Sequence, residues 1–174
     1  MFLGQWVLPP KRRRDKLMAK IDTEVIYFKL KEFIKANIAA QVALINTEKN
    51  DSTTISAPIT SAYVDFSLDN VVVNWDPFIF MFIDAMPSQI SGPNTEKKVK
   101  FEICLFKARS GRTDEHIAGL RYLRLMEELG KLAWDKALRG FRYEIETLIP
   151  IDVQLSNQTK WHRVYGVALT VSLS

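Results

Sequence analysis

The sequence predicts an α+β fold: one mostly antiparallel sheet with two long helices packed on one face, plus an extended N-terminal arm. Three observations predict it. Two stretches repeat apolar residues every three or four positions, the spacing of a one-sided helix. Several others alternate apolar and polar residues or run apolar for a strand's length. The order along the chain is arm, helix, strands, helix, strands, and 174 residues of ordinary composition fit one domain. The reading divides the chain into an arm, 1–20, and a single domain, 21–174.

The arm comes first. Lys11, Arg12, Arg13, Arg14, Lys16 and Lys20 face only Asp15, so residues 1–20 carry +6 − 1 = +5 of the total +4. The remainder is −1. The basic character therefore belongs to the arm, whereas a nucleic-acid-binding domain spreads Lys and Arg over a face of its fold. Pro9 and Pro10 block helix and favour extended backbone. Phe2, Leu3 and Trp6 are apolar anchors without a periodic partner. An arm of that kind either packs on its own domain or docks on something else.

The first helix spans 22–46, with Asp22 or Thr23 as its cap. Ile26, Leu30, Phe33, Ile34, Ile38, Val42 and Ile45 share one face, and Lys29, Lys31, Glu32 and Lys35 the other. Asn46, Asn50, Asp51 and Ser52 break the pattern. Residues 55–84 read as β: Tyr63, Val64 and Phe66 lead to a turn at Asp69-Asn70, then Val71, Val72, Val73 and Trp75 follow before Asp76-Pro77. Residues 78–83 are continuously apolar, which suits a central strand buried on both faces.

A loop fills 85–98. Val99, Phe101, Ile103 and Leu105 then alternate with Lys98, Lys100, Glu102 and Cys104 until Ser110-Gly111. The second helix starts at Thr113, with Asp114 and Glu115 at the positive end of its dipole, and is expected to reach Gly140. Its stripe is Ala118, Tyr122, Leu125, Met126, Leu129, Leu132, Ala133 and Ala137. Ile34 and Ile38 are expected to meet the sheet alongside Leu125 and Leu129. Gly130 costs roughly 1 kcal/mol inside a helix, and a small residue there permits close packing. Tyr143, Ile145, Thr147 and Ile149 alternate until Pro150 interrupts; Val153 and Leu155 resume before a turn at Ser156-Asn157. The closing strand sets Tyr165, Val167, Leu169, Val171 and Leu173 on one face. Val164, Gly166, Ala168, Thr170 and Ser172 form the other, small enough for something to lie close over it.

The pattern carries no catalytic constellation. Phosphate-loop, dinucleotide, nucleophile-elbow and HExxH motifs are absent from the sequence. The single cysteine, Cys104, excludes an intrachain disulfide and a cysteine-based zinc site within one chain. Cys104 with His116 or His162 is the one conceivable thiol pair, and a packed inert thiol is the plainer reading. No catalytic, cofactor or metal residues are assigned, and no enzyme activity is expected. Arg109, Arg112, Arg121 and Arg124 cluster in sequence, the last two on one helix face. They form either a solvated face paired with Glu127 and Glu128 or a subunit-interface patch. Trp161-His162-Arg163 reads as a strand entry anchored by its aromatic. No run approaches the ~20 apolar residues of a membrane helix, and no secretory leader is recognisable, so a soluble intracellular protein without membrane contact is expected.

The layout resembles the tail terminator, or tail-completion, proteins of long-tailed bacteriophages. The resemblance rests on the helix Tyr27-Phe28-Lys29-Leu30-Lys31-Glu32-Phe33-Ile34-Lys35-Ala36-Asn37-Ile38 with its end Leu44-Ile45-Asn46. It rests also on the apolar strand 78–83, the strand-to-helix unit 101–132 and the closing strand 161–173. It covers residues 22–174 and leaves out the arm. The resemblance implies a structural virion protein, assembled in the host cytoplasm as a homohexameric ring at the head-proximal end of the tail tube. Such a ring ends tube elongation and joins tail to neck. Its implied partners are the tail tube protein, the neck or connector protein and, in tails that have one, the sheath protein. DNA would only pass through its lumen. The partner-binding residues expected on the arm are Phe2, Leu3, Trp6, Lys11, Arg12, Arg13 and Arg14. Another connector subunit and a nucleic-acid-binding module using the arm are the alternatives. A ring seen by imaging or mass would favour assembly, and a monomer the alternatives.

Overall fold

The computed structural model describes residues 22–60, 75–84, 98–111, 114–155 and 159–173. The arm, the predicted strand residues 63–66 and 71–73, most of the 85–98 loop, Arg112, Thr113 and the Ser156-Asn157 turn lie outside the described residues. Helix α1 is Thr23–Lys49, and α2 is Glu115–Gly130. The strands are β1 (Phe78–Asp84), β2 (Lys98–Ala108), β3 (Phe141–Gln154) and β4 (Trp161–Leu173). They form one antiparallel sheet in the order β1-β2-β4-β3, with both helices on one face. The α+β reading holds.

Helix α1 begins where the Asp22 carboxylate accepts from the Val25 N–H at 3.2 Å. It runs past Asn46 to Lys49 and stops at Asn50, which takes the left-handed conformation with φ 43°. Asn46 has a different task from ending the helix. Its amide donates to the Ile55 carbonyl at 2.9 Å and accepts from the Ile55 N–H at 3.0 Å, so it pins the outgoing chain to the helix. Of the predicted stripe, Ile26, Leu30, Ile34, Ile38, Val42 and Ile45 are buried, and Phe33 is half-buried against Trp134. They meet Tyr122, Leu125, Met126 and Leu129 of α2 and the row Ile79, Met81, Phe101, Ile103, Val167 and Leu169 of the sheet.

Helix α2 ends ten residues before Gly140. At Gly130 the backbone comes within packing distance of the sheet: a Cβ there would lie 3.4 Å from Ile145 Cγ2. Trp134 then turns back, buried, and its indole N–H donates to the Leu129 carbonyl at 3.1 Å. That bond supplies a partner to one of the carbonyls a helix end leaves open. Ala137 and Leu138 reach the core from the turns that follow, not from the helix.

Two strands depart from expectation. β1 is buried on both faces, as its continuous apolar run requires, yet among the described residues it lies at the sheet's margin, flanked by one parallel bridge from Ile59. Pro150 does not end its strand. β3 continues through it with a register shift: Leu148 pairs with Gly166 and Ile151 with Val164, so Ile149 and Pro150 together oppose Tyr165. An edge-strand bulge is where proline, without an N–H, is tolerated.

The small face of β4 is covered by its neighbours. A Cβ on Gly166 would lie 2.9 Å from Leu148 Cδ1 and 3.4 Å from Cys104 Sγ. Beside it, Lys100 spans to Glu146 at 3.4 Å and Glu102 at 3.0 Å. The other end of that face is an aromatic cluster, with Phe78 stacked on Phe106 at 4.9 Å and Phe80 edge-on to Phe78 at 5.5 Å.

Candidate subunit interface

The bulge shapes an open apolar surface. By adding one residue to β3, it moves Ile149 outward, where it is 87% exposed, and leaves Ile151 exposed after it. Across from the bulge, α2 presents Leu120, 63% exposed, and the half-buried Leu123. Between helix and bulge is an open hollow of about 600 Å³, floored by Tyr165 and bounded by Leu120, Leu123 and Pro150. Gly119 keeps that floor in place, because any Cβ there would meet the Tyr165 hydroxyl. α2 packs on β3 and β4, so the hollow and the β3 edge lie on one flank of the sheet.

The charged rim of the hollow is paired within the chain. Arg109 lies 3.3 Å from Glu115 and 3.3 Å from Asp152, and Arg163 lies 3.1 Å from Asp152. Glu115 also accepts from the Gly111 N–H at 2.6 Å and the Ser110 N–H at 3.2 Å. It thus serves as a first-turn anchor for the loop before α2, while Asp114, the N-cap residue, makes no side-chain cap bond. The bulge is what places Asp152 on the helix side of the sheet, opposite Arg163.

The predicted arginines do not form one patch. Arg109 is on the rim just described. Arg121 is 4% exposed and bonds Asp51, and Arg124 bonds Glu48. These two tie α2 to the end of α1 and its following turn, rather than pairing with Glu127 and Glu128. Arg112 and the arm residues Phe2, Leu3, Trp6, Lys11, Arg12, Arg13 and Arg14 lie outside the described residues. The apolar edge itself was missed in the sequence. Its one signal was the run Leu148-Ile149-Pro150-Ile151, apolar on four successive positions of a strand that elsewhere alternates.

A second open surface lies on α1. Ala36, Ala39, Ala40, Ala43, Leu44 and Thr47 are exposed and carry no charge. Val25 and Phe28 add exposed apolar surface near the start of the same helix.

The chemically reactive side chains are separated. Cys104 pairs with Gly166 and His162 with Ala108, four ladder positions apart, or about 13 Å. Burial pushes the Cys104 thiol up to about 12, so it carries almost no thiolate near neutrality. His162 is buried on the same face, where burial holds it below the usual histidine range. His116 is exposed on α2, on the opposite side of the sheet. Among the described residues, no group of three or more His, Cys, Asp or Glu side chains is placed to hold a metal ion. Nor is any described helix long and apolar enough to cross a membrane. No protein-family model matches the chain, and no curated protein matches it.

Proposed function

We propose that this chain is a structural subunit of a phage tail. Copies would join in a homohexameric ring at the head-proximal end of the tube, ending its elongation and joining tail to neck. The partners are then further copies of the chain, the tube protein, the neck protein and, in a contractile tail, the sheath. It acts by assembly and not by catalysis. The layout resemblance over residues 22–174 supplies the identity of the assembly.

The observation that carries the reading is the bulged edge of β3. Burying an Ile or Leu side chain fully is worth about 1.5–3 kcal/mol relative to leaving it exposed. Leu120 on the wall of the hollow and Ile149 beside Pro150 at its rim forgo much of that in the isolated chain, and Ile151 is exposed on the sheet's other face. Single exposed apolar residues are ordinary, whereas a contiguous group marks a contact surface. The charge-free face of α1 is a second, different surface. Two unlike surfaces on one chain suit heterologous, head-to-tail contacts, which close into a ring when the rotation allows.

The test is mass photometry with negative-stain imaging of the purified chain. The expected result is a closed ring at six times the 20.0 kDa chain mass. A monomer across the accessible concentration range would overturn the proposal.

A further inference from the structure

We propose that the β3 edge and its neighbouring hollow receive the N-terminal arm of an adjacent copy, which adds a strand to the sheet through residues 2–8. This rests on the ring-forming reading and supplies the contact that would hold its copies together.

The receiving edge is unpaired on its outer side among the described residues: β3 has β4 as its one ladder partner. Such an edge presents a row of unpaired N–H and C=O groups that can template another strand, and its charges select which strand. Before its bulge, β3 offers residues 141–148, eight positions or about 27 Å of ladder. The bulge and Pro150 then stop any continuation, because proline has no N–H to give. The edge has room for one short strand and no more.

The arm has the composition of that strand. Phe2, Leu3, Trp6, Val7 and Leu8 are strand-forming or apolar, and Pro9-Pro10 ends the run. Seven extended residues span about 23 Å, within the length on offer. Strand addition takes affinity from main-chain bonds and specificity from pockets that receive alternate side chains. The hollow beside the bulge, bounded by Leu120, Leu123 and Pro150, is such a pocket for an aromatic anchor.

Charge agrees. β3 carries Glu144, Glu146 and Asp152 against Arg142, a sum of −2. The arm follows its apolar run with Lys11, Arg12, Arg13 and Arg14. The rim arginines, Arg109 and Arg163, are already paired with Glu115 and Asp152 and so do not repel it strongly.

The test uses full-length chains in two tagged forms, co-expressed. One carries Gln5→Cys, and the other carries Glu144→Cys, Glu146→Cys or Thr147→Cys in turn. A bis-maleimide adds one thiol at each end, so a product containing both tags arises only between copies. Cys104 is buried and stays out of the reaction. Ser52→Cys, exposed in the turn after α1 and outside both proposed contact surfaces, is the control, and mass photometry is run on every sample. The expected result is a two-tag product severalfold above the control for at least one edge position. A ring by mass with no excess over the control overturns arm docking and leaves ring formation standing. A monomer by mass with no two-tag product overturns both. Arm-to-edge cross-links confined to one chain, produced when both cysteines are placed together, overturn the exchange between copies.

Discussion

The Tyr165 hydroxyl occupies the space that a side chain at position 119 would need: a Cβ built on Gly119 lies 2.7 Å from Tyr165 Oη, with Cζ 3.8 Å away. Glycine within a helix ordinarily costs about 1 kcal/mol relative to alanine. Here the substitution forces a buried ring to move, and such overpacking costs typically about 1–3 kcal/mol. Gly119→Ala should therefore lower stability by about 1–2 kcal/mol net. In a Tyr165→Phe background the clashing atom is gone, and the same substitution should raise stability by up to about 1 kcal/mol. A urea-unfolding double-mutant cycle reads this change of sign. Equal effects in both backgrounds would contradict it.

Core and edge respond to truncation in opposite ways. Leu125 is fully buried under α1 and over the sheet. Leu125→Ala should cost about 2–5 kcal/mol in chemical denaturation. Ile149 is as hydrophobic but 87% exposed. Ile149→Ala should change the stability of the isolated subunit by no more than about 0.5 kcal/mol, the usual range for surface changes. It should nevertheless reduce the fraction of assembled particles by mass. A large loss of subunit stability at position 149 would show that the edge is core, not contact surface.

Asn46 joins α1 to the chain that leaves it through both halves of its amide. Asn46→Ala leaves the half-buried N–H and carbonyl of Ile55 without their partner. An unsatisfied buried group costs about 1–3 kcal/mol, so a loss of about 2 kcal/mol is expected. Asn46→Asp keeps the acceptor but sets a carboxylate against the Ile55 carbonyl, and should do no better. Thermal unfolding of both variants beside the parent checks this, and aspartate restoring parental stability would refute it.

The parts of the fold legible in sequence were those fixed by local periodicity. The α1 stripe, the alternation of β2 and the two faces of β4 depend on neighbours within a few positions, and among the described residues the structure buries most of the apolar side chains they name. The failures needed contacts between distant residues. Nothing near Gly130 says that Ile145 and Val167 lie against it, or that Trp134 will turn back onto Leu129. Pro150 looked like an end because the sequence does not show that β3 is an edge strand among the described residues, where a bulge absorbs it. The arginines of α2 were set against Glu127 and Glu128 because those are near in sequence. Their observed partners, Asp51 and Glu48, are about seventy residues away. The candidate interface was hidden for the same reason: it is made where a bulge in β3 passes α2.

Arg121 and Asp51 make an unequal pair. The guanidinium is buried, with Nη1 lacking a partner, while the Asp51 side chain is half exposed and its carboxyl is held below the usual range by the bond from Arg121. Removing the acid leaves a buried charge unpaired, whereas removing the base frees a carboxylate that water can reach. Asp51→Ala should therefore be more destabilising than Arg121→Met, which fills the same space without a charge. Denaturant midpoints for the two variants give the order directly, and the reverse order would contradict the assignment.

His162 sets an acid sensitivity of its own. The ring is 1% exposed, faces Phe78 at 6.0 Å, bonds the Lys160 backbone and leaves Nδ1 without a partner. Burial lowers its folded-state value below 6.5; the Asp76 charge opposes that shift, and Lys107 and Lys160 reinforce it. The unfolded chain therefore binds the proton more readily, and stability should fall as pH drops from 7 through 6.5 and on toward the folded-state value. Asp51 has a lowered carboxylate value, so its contribution is lost only at more acidic pH, below 3.8. The two groups thus occupy separate windows. His162→Leu should flatten the stability profile between about pH 7 and 5 while leaving the acid limb at lower pH in place. Unfolding free energies at half-unit pH steps for parent and variant measure this. An unchanged slope in that window would show that His162 is not the group responsible.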